Sequence, residues 1–280
     1  MVIRCWGARG SIPVSGREYL KYGGETTCLE LRTKDDRIII IDAGSGIRRL
    51  GNALAHENRR EVSLVFTHAH WDHLMGFPFF KPLYMAGVHI ETFGCPFAQD
   101  SIRDILAATM RRPNFPVDLT EVKAQVTYHG YCDRTFTIGP VTITPILLSH
   151  PNQGIGYKFV EDGKSFVFLT DNELSFVHPG GLTFQDYVQF SAGADLLVHD
   201  AEFTAAEYER TRTWGHSVYA DALRLGMEAG VATLGLFHHN QDRADEAVDA
   251  ILEDCRRLLA KANAGMQCVA VAEGMEMVLS

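Results

Sequence analysis

Short apolar runs separated by polar or glycine-containing segments recur along the whole chain. Runs rich in β-branched and aromatic residues predict strands, and apolar residues at helical spacing predict helices. The predicted strands are 2–5, 28–33, 37–41, 62–66, 88–93, 125–128, 141–147, 156–160, 165–169, 196–198, 234–237, 269–273 and 275–279. The predicted helices are 47–56, 99–110, 217–229 and 244–261. The apolar segment 74–80 is expected to begin as a helix and to break at Pro78.

Strands and helices are mixed throughout the chain, which predicts the α/β class. Residues 38–41 are all aliphatic, as expected of a strand covered on both faces. The last two strands are expected to pair with each other and close the chain. Because no linker, low-complexity run or sequence repeat is visible, we expect one domain, 1–280. Its two pseudo-repeated halves, about 1–145 and 146–280, would share one site along a common edge.

Histidine and aspartate residues recur where predicted strands end. They occupy positions 42, 68–73, 150, 171, 199–200 and 238. A strand end that opens onto a loop lets a rigid scaffold hold several side chains around one point. Imidazole nitrogens and carboxylate oxygens are ligand types that Zn²⁺, Fe and Mn²⁺ accept. The pattern therefore predicts a metal centre.

The densest group follows the strand 62–66 and reads His68-Ala69-His70-Trp71-Asp72-His73. His68 and His70 are two residues apart, so on an extended loop they project to the same side. Asp72 and His73 are expected on the first turn of a helix. A chance collection on a surface loop is the weaker interpretation, because three of the chain's 12 histidines stand here.

Two sets of ligands for two metals can be assembled from these positions. The first set is His68, His70 and His150, and the second is Asp72, His73 and His238. Asp171 can give one carboxylate oxygen to each metal. Two cations roughly 3.5–4 Å apart can activate a water that bridges them.

Alternatives remain open at four positions. His150 precedes a proline and could be an ordinary loop residue, and Asp171 could be a turn residue. His238 competes with His239, and His238 is preferred because it lies nearer the strand end. Asp42 follows a buried strand. It is either a helix N-cap or turn residue, or it orients a metal-binding histidine from behind.

Composition narrows the partners and the compartment. The formal charge of −9 provides no overall basic field, so nucleic acid is not the expected partner. The first residues lack the regions of a signal peptide, and no apolar run approaches the roughly 20 residues that span a bilayer. The six cysteines, at 5, 28, 95, 132, 255 and 268, form no CxxC pair. A reduced, cytoplasmic protein is therefore expected rather than a disulfide framework.

The motif from His68 to His73 resembles the HxHxDH motif of the metallo-β-lactamase superfamily. His150, Asp171 and His238 follow in the order of that family's later ligands. The resemblance covers essentially the whole chain. It implies a four-layer αββα sandwich with a dinuclear metal site at the sheet edges. It also implies that Asp42 supports the first motif.

Further segments are similar to the phosphodiesterase branch of that superfamily, which includes ribonuclease Z and cyclic-phosphate phosphodiesterases. They are Gly10-Ser11-Ile12-Pro13, Gly23-Gly24-Glu25-Thr26-Thr27-Cys28, His199-Asp200-Ala201-Glu202-Phe203 and Trp214-Gly215-His216-Ser217. In the branch, a histidine of the last segment assists at the phosphate and pairs with a glutamate. The resemblance assigns these roles to His216 and Asp200, where aspartate replaces glutamate. The structural alternative for His216 is a helix N-terminal residue.

These observations lead to a specific functional expectation: a dinuclear, metal-dependent hydrolase of a small phosphodiester, either a cyclic nucleotide or another cyclic phosphate. A hydroxide bridging the two metals would attack phosphorus, with Asp72, His216 and Asp200 as the catalytic residues. Zn²⁺ is the expected metal, with Mn²⁺ or Fe as alternatives.

The alternatives are a ribonuclease Z-like RNA phosphodiesterase, a lactone or thioester hydrolase, and, last, a non-enzymatic ligand sensor. Ribonuclease Z carries a long basic, glycine-rich arm, and the sequence holds no such insertion. The aromatic residues Trp71, Phe77, Phe79 and Phe80 could line the pocket mouth or belong to the core. The apolar segment 77–84 is a candidate surface for a homodimer.

Overall fold

Two seven-stranded sheets organise the computed structural model, which describes residues 1–95, 101–130 and 134–280. The first sheet contains β1 (Val2–Gly7), β2 (Cys28–Arg32), β3 (Ile38–Ile41), β4 (Glu61–Val65), β5 (His89–Phe93), β6 (Gln125–His129) and β14 (Glu276–Val278). The second contains β7 (Phe136–Ile138), β8 (Val141–Leu147), β9 (Ile155–Glu161), β10 (Lys164–Leu169), β11 (Leu196–Asp200), β12 (Thr233–Phe237) and β13 (Gln267–Ala270).

The helices follow the strands along the chain. They are α1 (Ile47–His56), α2 (Trp71–Leu74), α3 (Ile102–Thr109), α4 (Phe184–Ser191), α5 (Ala205–Thr211), α6 (Tyr219–Ala229) and α7 (Asp245–Ala262). The predicted helices 47–56, 217–229 and 244–261 correspond to α1, α6 and α7. Residues 99 and 100 of the predicted helix 99–110 lie outside the described residues, and its remainder contains α3. The helices α4 and α5 were not predicted.

Both sheets repeat one series of strand pairings. The first runs β14-β1-β2-β3-β4-β5-β6 and the second β7-β8-β9-β10-β11-β12-β13. In that direction each has three antiparallel pairings followed by three parallel ones. This supports the proposal of one domain with two pseudo-repeated halves. The chain changes sheet between β6 and β7, so a division at residue 145 falls within β8.

Three buried apolar clusters define four layers. One joins side chains of both sheets, such as Ile39 and Ile41 with Phe166 and Phe168, and is the core between the sheets. A second packs the outer face of the first sheet against α1 and α3. A third packs the outer face of the second sheet against α4, α6 and α7. The predicted α/β class and αββα sandwich are confirmed.

The strand Ile38–Ile41 shows why its sequence is aliphatic throughout. Ile39 and Ile41 face the core between the sheets, whereas Ile38 and Ile40 face the cluster under the outer helices. A strand alternates its side chains between two faces, and here both faces are buried. The run leaves no polar position until Asp42, at the sheet edge.

Several predictions made from the sequence were wrong. The last two strands do not pair with each other, since β13 joins β12 and β14 joins β1. In the segment 74–80, α2 ends at Leu74, and Pro78 lies inside a 3₁₀ turn, Phe77–Phe79. Cys95 is disulfide-bonded, against the expected reduced state, whereas Cys5, Cys28, Cys255 and Cys268 are free thiols. Cys132 lies outside the described residues.

Within the part of the chain that is described, no helix combines the length and apolarity needed to cross a bilayer.

Candidate metal centre

The predicted site residues meet at the edge of the sandwich where the parallel strands end. Asp42 follows β3, His68 follows β4, Asp171 follows β10 and His238 follows β12. Asp42, Asp171 and His238 adopt left-handed backbone conformations, with φ of 62°, 54° and 55°. Non-glycine residues adopt this region at a cost and concentrate at functional sites. The chain therefore bends sharply at three of the strand ends that deliver these side chains.

Three groups of candidate metal donors form at this edge. Two of them hold the predicted ligands and share one residue, and the third combines Glu202 and His216 with the predicted ligand His238. The donor atoms within each group lie within 4.8 Å of one another. The first group is His68, His70, His150 and Asp171, and the second is Asp72, His73, Asp171 and His238. All seven predicted ligands are thus brought together, and Asp171 is common to both groups as the sequence predicted. The two groups combine residues from the first and second halves of the chain.

The first group is close enough to surround a single ion. His150 Nε2 lies 2.9 Å from His70 Nδ1 and 3.9 Å from Asp171 Oδ2. His68 Nε2 lies 3.5 Å from the same Asp171 oxygen. A tetrahedral ion with bonds of ~2.0–2.1 Å places its ligand atoms about 3.3–3.4 Å apart. These separations therefore match a single coordination sphere with little rearrangement.

The second group has similar dimensions. His73 Nε2 lies 3.3 Å from Asp171 Oδ1 and 3.4 Å from Asp72 Oδ2. His238 Nε2 lies 3.3 Å from Asp72 Oδ2 and 3.3 Å from Asp171 Oδ2. The two Asp171 oxygens thus face histidines of both groups. Ser11 donates its backbone N–H to Asp72 Oδ2 at 2.9 Å, which fixes that carboxylate from the glycine-rich loop after β1.

Three histidines of the centre are oriented by carboxylates through Nδ1. His73 pairs with Asp42, His238 with Glu202 and His216 with Asp200, each at 2.8 Å. A carboxylate on Nδ1 fixes the ring orientation and the tautomer, and it leaves Nε2 for a metal or a substrate. Asp42 thus lies against His73, in the supporting position that the resemblance implied, and the N-cap of α1 is Gly46.

The remaining two buried histidines are oriented by a hydroxyl and a carbonyl. His68 Nδ1 lies 3.1 Å from Thr67 Oγ1, which in turn donates to Asp42 at 2.7 Å. His150 Nδ1 donates to the backbone oxygen of Gly215 at 2.9 Å. A Cβ on Gly215 would lie 2.2 Å from His150 Nδ1, so this close approach requires glycine. Both histidines therefore present Nε2 to the first donor group.

The donor set fits divalent cations. Nε2 of His68 and Nε2 of His73 are buried with no hydrogen-bond partner in the described part of the chain. A buried, unpaired polar atom is costly, and a metal bond would satisfy it. Five buried carboxylates also surround the centre: Asp42, Asp72, Asp171, Asp200 and Glu202. Such a concentration of negative charge calls for cations.

Electrostatics separates the two groups. Burial lowers the pKa of His150 to about 3 and holds the pKa of His68 well below its ordinary value, so both are neutral imidazoles suited to ligation. Burial also lowers the pKa of His73 and His238, but nearby carboxylates outweigh it and hold both well above the ordinary value. The carboxylates therefore give the second group the more negative surroundings. A proton on a histidine or a bound metal ion must balance that charge.

His216 lies beside the second group. Burial lowers its pKa, but Glu202 and Asp200 outweigh this effect and raise the pKa to about 9. The side chain is therefore protonated near neutral pH, and it can donate to an anionic oxygen. The structure places His216 against Asp200, as the resemblance implied. Glu202 Oε2 lies 3.5 Å from His216 Nδ1 and is the next carboxylate.

Two functional residues were missed from the sequence. Glu202 was noted only as part of a segment, although it orients His238 and accepts a hydrogen bond from Asn240 at 2.8 Å. Its signal is an acidic residue two positions after a strand-end aspartate. Glu173 is buried two residues after Asp171. Its carboxylate accepts four hydrogen bonds, from His178, Tyr208, and the backbone N–H groups of Thr213 and Gly215.

Other candidates lie outside the donor groups. His239 is buried, with Nε2 donating to the Val271 carbonyl at 2.8 Å, and it is not part of either group. Of the aromatic residues, Phe77 and Phe80 belong to the core, whereas Trp71 and Phe79 are exposed. Most of the segment 77–84 is buried, which leaves Phe79 and Lys81 as its exposed residues. The homodimer at this segment stays a prediction.

Comparison with known proteins gives a family and several relatives. The family model described as "Beta-lactamase superfamily domain" matches residues 37–239. A ribonuclease Z from Haloarcula marismortui is 24% identical over 300 aligned positions, which cover 87% of this chain and 88% of that protein.

Solved structures share the fold along the whole chain. The metallo-beta-lactamase fold protein YhfI from Bacillus subtilis has a TM-score of 0.70 at 18% identity and covers 99% of this chain and 98% of its own. A diphosphatase from the PhnP family has a TM-score of 0.69 at 16% identity, with coverage of 100% and 98%. The sequence resemblance to the phosphodiesterase branch is confirmed, and the chain belongs to the metallo-β-lactamase superfamily.

Proposed function

We propose that the protein is a dinuclear metal-dependent phosphodiesterase that hydrolyses a small phosphodiester, such as a cyclic nucleotide or another cyclic phosphate. The observation that carries this proposal is the pair of donor groups that share Asp171, with His216 beside them and hydrogen-bonded to Asp200. Two divalent cations bound there would neutralise the phosphodiester charge and activate a water. Zn²⁺ is the first candidate, with Mn²⁺ or Fe as alternatives.

The residues of the chain have distinct tasks in this proposal. His68, His70 and His150 would hold one cation, Asp72, His73 and His238 the other, and Asp171 both. Asp42 and Glu202 would keep their histidines aimed at the centre. His216 would donate a hydrogen bond to a phosphoryl oxygen or a proton to the leaving alkoxide, and Asp200 would hold its ring in place.

Surface charge supports a small substrate. Long RNA is bound largely through Lys and Arg contacts to phosphates. Arginines of the paired sequences Arg48-Arg49 and Arg111-Arg112 are engaged within the protein: Arg48 pairs with Glu25 at 3.6 Å, Arg49 with Glu273 at 2.6 Å and Arg112 with Glu121 at 3.4 Å. Together with the formal charge of −9, these ion pairs argue against a polyanion site built on the paired arginines.

A ribonuclease Z-like activity on RNA is the second candidate. It is favoured by the similarity to the ribonuclease Z from Haloarcula marismortui, which aligns with most of this chain. The two candidates share the metal centre and differ in substrate size.

A substrate panel distinguishes them. Protein reconstituted separately with Zn²⁺ and Mn²⁺ is offered bis-p-nitrophenyl phosphate, 2′,3′- and 3′,5′-cyclic nucleotides, a precursor transfer RNA, a lactone and a thioester. We expect the highest kcat/KM on a small or cyclic phosphodiester. A preference for the RNA would support the second candidate. Activity confined to the lactone or thioester would refute phosphodiester chemistry, and inactivity on every member would support a ligand sensor.

A further inference from the structure

Two exposed tryptophans are next in sequence to residues at the candidate metal centre: Trp71 stands between His70 and Asp72, and Trp214 precedes Gly215. Trp71 and Trp214 are 57% and 63% exposed, and they are the largest of the exposed apolar side chains among the described residues. Exposed aromatic surface is costly in water, and it often marks a binding site. Both exposed side chains belong to segments that also contribute residues to the centre, where a substrate would bind.

A short chain of contacts joins the sequence neighbours of the two tryptophans. Trp71 follows His70, and His70 Nδ1 lies 2.9 Å from His150 Nε2. His150 Nδ1 in turn donates to the carbonyl of Gly215, the residue after Trp214, at 2.9 Å. Neighbouring Cα atoms are about 3.8 Å apart. Each tryptophan is therefore attached within one residue of the contacts that build the first donor group, Trp71 from the first half of the chain and Trp214 from the second.

A cavity of about 310 Å³ adjoins Trp71. Its lining is formed by residues that follow β3 and β4, with Glu25 from the loop before β2. The residues after β3 are Ser45 and Arg48, and those after β4 are Trp71, Met75, Gly76 and Phe79. Phe79 packs edge-on against Phe115, with ring centroids 5.5 Å apart, which limits its motion. Cavities for small molecules begin near ~300 Å³. The space suits a single ring system rather than a polymer.

We propose that Trp71 and Trp214 are specificity-determining residues that stack on an aromatic base carried by the phosphodiester. This inference rests on the proposed function and names the class of substrate: a nucleotide phosphodiester rather than an aliphatic one. The metal centre takes the anionic phosphate, whereas flat aromatic faces take a neutral ring system. Stacking on a base tolerates different bases, because each has a π-face. The expected specificity is for the presence of a base, not for its identity.

The test compares two cyclic phosphates that differ only in the base. These are 2′,3′-cyclic AMP and the 2′,3′-cyclic phosphate of methyl riboside. For the wild type we expect a higher kcat/KM on the base-bearing compound. In Trp71→Ala and in Trp214→Ala this preference should fall about 10-fold, mainly through KM, since stacking contributes to binding by that order. Trp71→Phe keeps an aromatic face and should retain most of the preference.

Val278→Ala is the matched control. Val278 lies in β14 and is 63% exposed. It pairs with Val2 of β1, at the end of β1 that is far from the centre. Its substitution should leave the preference unchanged. Equal preferences in wild type, Trp71→Ala and Trp214→Ala would overturn the inference while the proposed function stands. A wild type that favours the base-free compound would also overturn it.

Two further measurements keep the test decisive. Elemental analysis of Trp71→Ala shows whether its metals are retained. If the metals are lost, the preference for the base-bearing compound is compared between the wild type and Trp214→Ala, which changes no residue of the ligand motif. If the wild type hydrolyses neither compound, the substrate panel decides the proposed function, and titration with AMP tests base binding at Trp71 and Trp214 without turnover. If AMP quenches the tryptophan fluorescence of the wild type, and quenches it less in both variants, the inference is supported. If AMP does not quench the wild type, the inference is refuted.

Discussion

Glu173→Gln should weaken the metal centre without touching any predicted ligand. Glu173 is 1% exposed, and each of its carboxylate oxygens accepts two hydrogen bonds. Oε1 accepts from the Tyr208 hydroxyl and the Thr213 N–H, and Oε2 from His178 and the Gly215 N–H. The carboxylate thereby holds the loop whose Gly215 carbonyl orients His150 and whose next residue is His216.

The size of the effect follows from this geometry. Glutamine replaces one oxygen by an NH₂ group, so two donors lose their acceptor whichever way the amide turns. At ~1–3 kcal/mol for each of the two unsatisfied buried groups, about 2–6 kcal/mol of stability should be lost. A residue that orients a metal ligand typically changes metal affinity or activity by about 10- to 100-fold. We expect weaker binding of one of the two metals and a lower kcat.

The assay is chelator competition on apo-protein, together with kcat and the apo-protein Tm. Glu161→Gln is the matched control, because Glu161 is equally buried and accepts from Lys34 N–H at 2.9 Å, but it pairs with the amino terminus rather than with the centre. This control should lower Tm and retain both metal affinities. If Glu173→Gln behaves like Glu161→Gln, with both affinities and kcat intact, then Glu173 is only structural.

Four further substitutions test individual assignments. His216→Ala should lower kcat by about 10²-fold or more with metal content intact, and unchanged turnover in steady-state kinetics would remove His216 from the mechanism. Asp72→Ala should lose one metal as well as activity, so two metals found by elemental analysis would contradict its role as a ligand. His238→Gln should lose a metal, whereas His239→Gln should retain both. The reverse result would show that the geometry of the two donor groups has been misinterpreted.

Local pattern was sufficient to predict much of this architecture. Strand ends marked by histidine or aspartate, at 42, 68, 171 and 238, meet at one edge because parallel strands of packed sheets end there. The four-residue aliphatic run Ile38–Ile41 indicated a strand with two buried faces, and both faces are buried. These features depend on side-chain periodicity, which a sequence displays directly.

Long-range pairing and supporting contacts were beyond that reasoning. The strand β14 pairs with β1, some 270 residues away. Nothing within residues 269–279 shows that β14 pairs with β1 rather than with β13, the strand before it in the chain. Glu173 and Glu202 act through hydrogen bonds to the loop 213–215 and to His238. Such partners are set by the folded arrangement of loops and have no fixed sequence spacing. The helices α4 and α5 span only eight and seven residues, so each gives only about two turns of periodicity to read.

The most direct test of the central claim is a titration of apo-protein with Zn²⁺ while hydrolysis of a small phosphodiester is followed. The shared position of Asp171 predicts that activity rises and reaches its plateau at two equivalents of metal per chain. In Asp171→Ala neither equivalent should bind with wild-type affinity. A plateau at one equivalent, or full activity in Asp171→Ala, would contradict the dinuclear centre. Absence of hydrolysis at every metal loading would contradict the phosphodiesterase itself.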